Sequence, residues 1–470
     1  MQTPFYLRFN RYLTSQLIDW LLVSWCLFAF FATPILMLRV SPFEGRLSEP
    51  IVGISGLLFG IVLLKTCRPL ALGIFRRFLG LPAPWVAVLI GLVLRLTWVF
   101  VFPSTPQSDG AIYLQLAAAL ANGQAYEIGG TSAYWPVGYP LWLCGWLLLF
   151  DAPTAVLLSQ TVAYLVAAAG VIKLANHLQG DTAARIAIWI FAIWPNLLAQ
   201  LSTPEKEAVV IALLPWVLLV VLGKAKPWFV FCAGLALGFC ILVQPGLQFL
   251  LPLLLVVVWL RASGKGILLT LILFIFGTAL VVLPWTFRNM VVFGTPVLVS
   301  TNGGSNLYRA NNPLANGGYT DVGEHDLSSL SELESDHVGK QLAIDWIRTY
   351  PLDFLKLGFE KQLRFMGDDS STIYGSLKRG GGTQNMLVYG LAKALANFWW
   401  LCMWLLIAIA VMADKRRSSV DERWLIWGWA YLFVLHSFFE SASKYHLPVI
   451  WVLCVLLGCL VTRLKADNKI

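Results

Sequence analysis

Charge is what this sequence has least of. Asp, Glu, Lys and Arg make up 13% of its 470 residues, about half the share found in soluble globular domains. That scarcity argues against a soluble globular protein. The chain also lacks the short alternating segments that a membrane β-barrel requires. It lacks cysteine where cysteine would matter for a disulfide framework: the polar stretch 289–385 has none. Of the eight cysteines, Cys67 sits in a basic loop and the rest lie in apolar runs, so neither a disulfide pattern nor a metal cluster is legible. There is no internal repeat, which counts against a transporter built from repeated halves. No cleavable signal peptide is evident, because the first apolar run is long enough to be a retained span.

What remains is apolar. The chain is 58% hydrophobic with a mean hydropathy of +0.72, and many runs approach the ~20 residues that cross a bilayer as a helix. An all-α polytopic membrane protein is predicted, with about twelve spans at 16–38, 51–64, 85–102, 154–177, 184–202, 205–222, 227–243, 246–261, 266–288, 386–412, 423–440 and 446–463. The net charge of +9 is a topology signal here, not a nucleic-acid signal. Lys65, Arg68, Arg76 and Arg77 form one basic segment. Lys224 with Lys226, Arg261 with Lys265, Lys415-Arg416-Arg417, and Arg463 with Lys465 form others. All fall on the cytoplasmic side, as basic loops favour, if Leu141–Phe150 does not cross. That run is read as interfacial or re-entrant. Both termini are then cytoplasmic, like Arg8 and Arg11.

Four regions follow from this reading. Residues 1–83 hold two N-terminal spans and a basic loop. Residues 84–290 form a core with an extracytoplasmic loop at 104–153. Residues 291–385 are a large extracytoplasmic loop, and 386–470 are the C-terminal spans. Within the large loop, 339–366 carries an amphipathic pattern broken at Pro351, suited to helices lying on the membrane surface.

The stretch 108–140 is too polar to span and too aromatic to be an idle linker. It opens on Asp109, continues as a short helical pattern that Gly123 stops, and ends in Tyr134-Trp135-Pro136-Val137-Gly138-Tyr139-Pro140. Asp109 reads as a general base at the outer face, or as the cap of the helix that follows. Glu205 and Glu207 open a span at the same depth, where helix starts favour acids. Glu205 could share acid–base work with Asp109, or the two could share a divalent cation. No metal is otherwise assigned. Arg288 and Lys444 oppose the positive-inside bias. Together they suit a phosphate, or they snorkel to headgroups. Arg95 lies inside a span and needs a partner: a carboxylate, backbone carbonyls or a ligand phosphate.

Taken in order, four pieces resemble the GT-C glycosyltransferases, and among them the bacterial relatives of protein O-mannosyltransferases and of lipid A aminoarabinose transferases. The first is Asp109-Gly110 with Tyr113, Ala117, Leu120 and Gly123, then Trp135 to Pro140. The second is Ser202-Thr203-Pro204-Glu205. The third is Pro284-Trp285-Thr286-Phe287-Arg288-Asn289 with Phe293-Gly294, Ser300-Thr301-Asn302-Gly303-Gly304, Asn306-Leu307 and Asn311-Asn312-Pro313. The fourth is Lys444-Tyr445-His446-Leu447-Pro448. Gln244-Pro245 stands where that family often has Arg-Pro, and Lys444-Tyr445 where it often has Arg-Tyr.

The resemblance implies an inverting transferase in the bacterial inner membrane, its active site facing the periplasm. The donor would be a polyprenyl-phosphate sugar and the acceptor a hydroxyl on a protein, lipid or glycan. Asp109, with Glu205, would carry the acid–base chemistry. Arg288, Lys444 and Arg95 would attend the phosphate. Tyr113, Trp135, Tyr139, Asn302 and Tyr445 would line the substrate site. The competing classes are an envelope polysaccharide polymerase or ligase, and a transporter of a lipid-linked or polar substrate.

Overall fold

The computed structural model describes residues 5–41, 44–223, 225–261, 266–320, 323–414, 419–467 and 470, with side chains from residue 16 onward except those of 261 and 420. The basic residues Lys224, Lys265, Lys415, Arg416 and Arg417 lie outside the described residues, as do the side chains of Arg8, Arg11 and Arg261. Among the described residues there is no β-strand. In an apolar solvent every backbone group must be satisfied within its own segment, and the helix does that.

The first elements are α1 (Phe5–Arg39), α2 (Glu49–Thr66), the basic amphipathic α3 (Arg68–Leu79) and α4 (Pro84–Val101). Two short helices follow, α5 (Asp109–Ala121) and α6 (Gly138–Leu147). Gly123, at φ 69°, closes the turn after α5 in a backbone region open to glycine. With ten residues, α6 is about 15 Å long and too short to cross. Next come α7 (Ala152–Gln179), α8 (Asp181–Ala192) and α9 (Pro195–Leu198), the last running into a 3-10 turn at Ala199–Ser202. Then follow α10 (Glu207–Leu222), α11 (Pro227–Val243), a 3-10 turn at Pro245–Phe249, α12 (Leu250–Arg261) and α13 (Ile267–Phe293).

The large loop folds as α14 (Gly303–Ala310), α15 (Glu332–Thr349), α16 (Pro351–Met366) and α17 (Ser371–Ile373), closed by a π turn at Tyr374–Arg379. Pro351 is the first residue of α16, where its missing N–H costs nothing, so the amphipathic stretch divides at the expected place. Ser331 and Glu334 cap α15 reciprocally. The chain ends with α18 (Met386–Ala413), α19 (Val420–Phe438), a 3-10 turn at Ser443–Val449 and α20 (Ile450–Ala466).

Among the described residues seven helices are each long and apolar enough to cross a membrane, or eight if α8 and α9 with its turn, bent by 65°, are one span. The chain is an integral membrane protein. The expected count of twelve is not reached by this measure. Helices α10, α11 and α12 have 16, 17 and 12 residues, and α19 opens with Asp421, Glu422 and Arg423. The centre of the bundle is α20, 94% buried over its span, packed against α7, α8 and α18. At the periphery α2 and α4 are each only 17% buried, their exposed Leu, Ile, Val and Phe side chains forming the apolar outer surface.

Helices α11 and α13 pack backbone against backbone. A Cβ on Gly234 would lie 2.3 Å from the Phe274 carbonyl oxygen, and one on Gly277 would lie 2.4 Å from the Phe231 carbonyl oxygen. Thr278 Oγ1 also donates to the Gly234 carbonyl at 3.1 Å. Small residues let backbones approach this way when burial supplies no drive between helices in lipid. Gly277→Val is expected to lower the thermal unfolding midpoint of the purified protein, overpacking costing about 1–3 kcal/mol. Gly390→Ala, where a Cβ meets nothing within 4 Å, is expected to leave it unchanged.

Candidate active site

The site begins with a broken helix. The bend between α8 and α9 strips the last α8 carbonyls of their helical partners. Arg95 covers them: Nη1 donates to the Ala192 oxygen at 2.6 Å and Nη2 reaches the Phe191 oxygen at 3.5 Å, while Nη1 also donates to the Gly91 oxygen of its own helix α4 at 3.0 Å. Its guanidinium lies 4.0 Å from the Tyr164 ring centroid. The partners of Arg95 are therefore carbonyls at a negative helix end and an aromatic face.

The other side of the bend is held by Asp369, which is fully buried. Its carboxylate accepts from Trp194 Nε1 and Asn196 Nδ2, both at 2.7 Å. His446 Nε2 stands 3.1 Å from the same carboxylate, and His446 Nδ1 stands 2.7 Å from the Phe365 carbonyl oxygen. The imidazole stacks on Trp400 at 4.7 Å, and the Asp369 N–H donates to Asn397 at 3.0 Å. One carboxylate thus ties the bend, the end of the large loop, α18 and the 443–449 turn together. Residues 203–207 and Lys444 are brought to the same place.

There a cavity of about 630 Å³ opens, lined among others by Asp109, Tyr113, Trp135, Glu205, Lys206, Glu207, Asn302, Arg379, Lys444 and Tyr445. Asp109 is the first residue of α5. Its side chain does not cap that helix; Oδ2 faces Lys444 Nζ at 3.4 Å instead, both groups half-buried. The preceding Ser108 has φ 51°, the sole positive φ outside glycine among the described residues. Such a conformation costs about 1–3 kcal/mol and persists where the surroundings impose it. Burial pushes the Asp109 pKa up, but Lys444, Lys206 and Arg379 outweigh burial and hold it below its ordinary value. Glu205 moves the other way. Burial and then the Glu207 carboxylate push it up, opposed only in part by Lys444 and the Thr203 hydroxyl. The pKa values of Asp109 and Glu205, two of the carboxyl groups in this cavity, are thereby pushed apart.

The aromatic platform is assembled edge to face. The buried Tyr113 ring meets Trp135 at 5.7 Å and Tyr139 at 5.5 Å, and Lys206 Nζ lies 5.9 Å from its centroid. Tyr139 stands behind the cavity, where its hydroxyl accepts from Gln160 Nε2 at 3.2 Å. Tyr445 donates to Glu440 Oε1 at 2.5 Å and stacks on His436 at 4.3 Å. Asn302 accepts from Ser300 at 2.9 Å beside the start of α14.

Of the residues expected at the site, Asp109, Tyr113, Trp135, Glu205, Asn302, Lys444 and Tyr445 come together here. Arg95, Tyr139 and Arg288 stand outside the cavity lining. Arg288 instead braces the loop that carries the platform: Nη1 donates to the Ser132 oxygen at 2.8 Å and Nη2 to the Tyr126 oxygen at 3.2 Å. Glu332, from α15, holds the opposite edge, accepting from the N–H groups of Ser132 at 2.6 Å and Ala133 at 2.8 Å, and from the Thr301 hydroxyl.

Sequence reasoning missed Lys206, Arg379 and Glu332, and took Glu207 for a helix-start acid. Glu207 is in the first turn of α10 and also 4% exposed against the cavity. Lys206 is a cation on the expected outer side, the signal that singled out Arg288. Nothing in the spacing marks Arg379 or Glu332. Among the described residues no group of three or more His, Cys, Asp or Glu side chains is arranged to hold a metal. The positive charge beside Asp109 is the Lys444 ammonium.

No family model and no curated protein matches the sequence. Several solved structures resemble the chain in shape. An oligosaccharyltransferase AglB from Archaeoglobus fulgidus, in complex with an inhibitory peptide and a dolichol-phosphate, aligns with a TM-score of 0.45 and 12% identity over 82% of this chain. Another structure of an Archaeoglobus fulgidus oligosaccharyltransferase, tethered to an acceptor peptide, gives 0.46 and 12% over 82% of this chain. The chain spans 50% of the length of each. ArnT from Cupriavidus metallidurans, bound to undecaprenyl phosphate, gives 0.39 and 15% over 82% of this chain and 79% of its own.

Glu332→Gln tests the brace on the platform loop. It removes a charged acceptor from two backbone N–H groups, a loss of about 1.5–3 kcal/mol. Amide exchange at Ser132 and Ala133 is expected to quicken roughly 10- to 100-fold. Exchange in α20 is expected to stay the same.

Proposed function

We propose that the protein is an inverting glycosyltransferase of the GT-C type, moving a sugar from a polyprenyl-phosphate donor to an acceptor hydroxyl at the extracytoplasmic face. The observation that carries this is the Asp109 carboxylate facing Lys444 at 3.4 Å inside a cavity that Lys206 and Arg379 also line. A base and a set of anion-binding cations within one site are what such a transfer needs. The ordered motifs around Asp109, Glu205, Arg288 and Lys444 support the same reading.

In the reaction, the acceptor oxygen attacks the anomeric carbon from the face opposite the phosphate. The new carbon–oxygen bond forms as the sugar–phosphate bond breaks, and its electron pair leaves on the phosphate. The acceptor proton passes to Asp109. Lys444, released from Asp109 as that carboxylate is neutralised, turns its charge to the departing phosphate with Lys206 and Arg379. Charge stabilisation by groups already in place is the main contribution of such a site. Glu205, its pKa pushed up by burial and by Glu207, is less prone than Asp109 to set a negative charge against the phosphate. Arg288 acts through the platform loop that it braces.

Asp109→Asn is the first test. Asn keeps the shape, and no cap is lost because the Asp109 side chain caps nothing. Release of lipid phosphate from labelled polyprenyl-phosphate sugars is expected to fall about 10²- to 10⁴-fold, with the unfolding midpoint unchanged. A wild-type rate would remove Asp109 from the chemistry.

A pH profile of Lys444→Met is the second. Asp109 works deprotonated, so activity is lost as pH falls through its pKa. Without the Lys444 charge that pKa rises. The acid limb of kcat/KM is expected to move to higher pH, whatever the change in its height. An unmoved limb would mean that Asp109 is not the titrating base.

A further inference from the structure

A second cavity, of about 450 Å³, adjoins the first and shares Lys206, Asn302, Asn306, Glu440 and Tyr445 with it. Three residues that line it each carry a buried side-chain atom without a protein hydrogen-bond partner: the Gln244 oxygen, His436 Nε2 and Glu440 Oε2. The Gln244 and His436 side chains are largely shielded from bulk solvent, at 8% and 5% exposed. Buried polar atoms are normally paired, and each orphan needs an explanation.

The chemistry of the three atoms agrees. His436 Nδ1 lies 2.8 Å from the Glu440 carbonyl oxygen, which can only accept, so Nδ1 carries the hydrogen. In the neutral ring that burial favours, Nε2 then holds a lone pair. Glu440 Oε1 already accepts from Tyr445, which leaves Oε2 as a further acceptor. The Gln244 oxygen is an acceptor by nature. A ligand completing this site must bring donors, and hydroxyl groups do so in the required number. A phosphate brings only acceptor oxygens, which cannot pair with these three atoms; it would be drawn instead to Lys206 and Lys340 elsewhere on the lining. Phe249, Leu298, Leu435 and Phe439 form an apolar part of the wall, with Phe249 55% and Leu298 45% exposed, a surface for an attached apolar chain.

We propose that this second cavity is a carbohydrate-binding site, whose occupant places sugar hydroxyls on Gln244, His436 and Glu440 and an apolar aglycone against Phe249 and Leu298. That this occupant is the acceptor rests on the glycosyl-transfer reading above and makes the acceptor a glycan or glycolipid. The binding itself does not depend on that reading.

The test is binding to the full chain in nanodiscs, using hexyl glycosides of glucose, galactose, mannose and N-acetylglucosamine, with hexyl phosphate as the anionic counterpart. At least one glycoside is expected to bind, and Gln244→Met to weaken it about tenfold. Asp109→Asn is expected to leave that binding unchanged. Hexyl phosphate binding is expected to ignore Gln244→Met. The proposal is overturned if no glycoside binds, if Gln244→Met is without effect on the one that does, or if that substitution abolishes phosphate binding instead. A Gln244→Met protein with a lowered unfolding midpoint is replaced by Glu440→Gln, which turns one acceptor oxygen into a donor and is read against the same outcomes. Lipid release from a labelled donor, measured separately, reports on transfer, so absence of the one and of the other are told apart.

Discussion

The placement of the cavity's charges depends on one buried carboxylate. Asp369 has no solvent to satisfy it, and Trp194, Asn196 and His446 surround it instead. Removing one partner from a buried charge typically costs about 3–5 kcal/mol. The three partners come from the kinked segment before α10 and from the turn before α20, so they cannot be satisfied unless those chain segments meet. Lys444 is two residues from His446, and Glu205 follows the kinked segment closely. The position of the cavity's charges is thus a by-product of satisfying a group that never touches the cavity.

The kink itself is affordable because both of its faces are served. Arg95 takes the carbonyls on one side and Asp369 the side-chain donors on the other. An arginine in the apolar layer looks costly in isolation. Here it replaces hydrogen bonds that the bend removed, so its cost and the cost of the bend offset each other. The same division of labour recurs around the platform loop, where Arg288 holds carbonyls and Glu332 holds N–H groups. In both places opposite charges grip opposite ends of the peptide dipole.

Local features of this architecture are legible in the sequence because their causes are local. The start of α5 at Asp109, its stop at Gly123 and the division of α15 from α16 at Pro351 follow from residue type alone. That Arg95 faces inward follows from its charge; that it meets carbonyls depends on a bend at Trp194 that no periodicity announces. The number of spans is poorly legible because a 16-residue apolar helix such as α10 has the same composition as a longer one. The Asp109–Lys444 pair joins residues 335 apart, and the sequence marks only that both are charged near an outer surface. Arg379 and Glu332 lie in polar stretches where charge is ordinary, so nothing distinguishes them until the chain is folded.

The contacts of α1 bear on the order in which the protein is made. Arg39, at its end, pairs with Glu49 at 2.6 Å and with Glu360 at 2.8 Å, the latter 321 residues later. Phe28 and Phe31 meet Phe359, and α1 packs along α18. The ribosome delivers α1 long before α16 or α18 exists. The contacts of α1 with α16 and α18, and the second partner of Arg39, can therefore form only after the last third of the chain has been made.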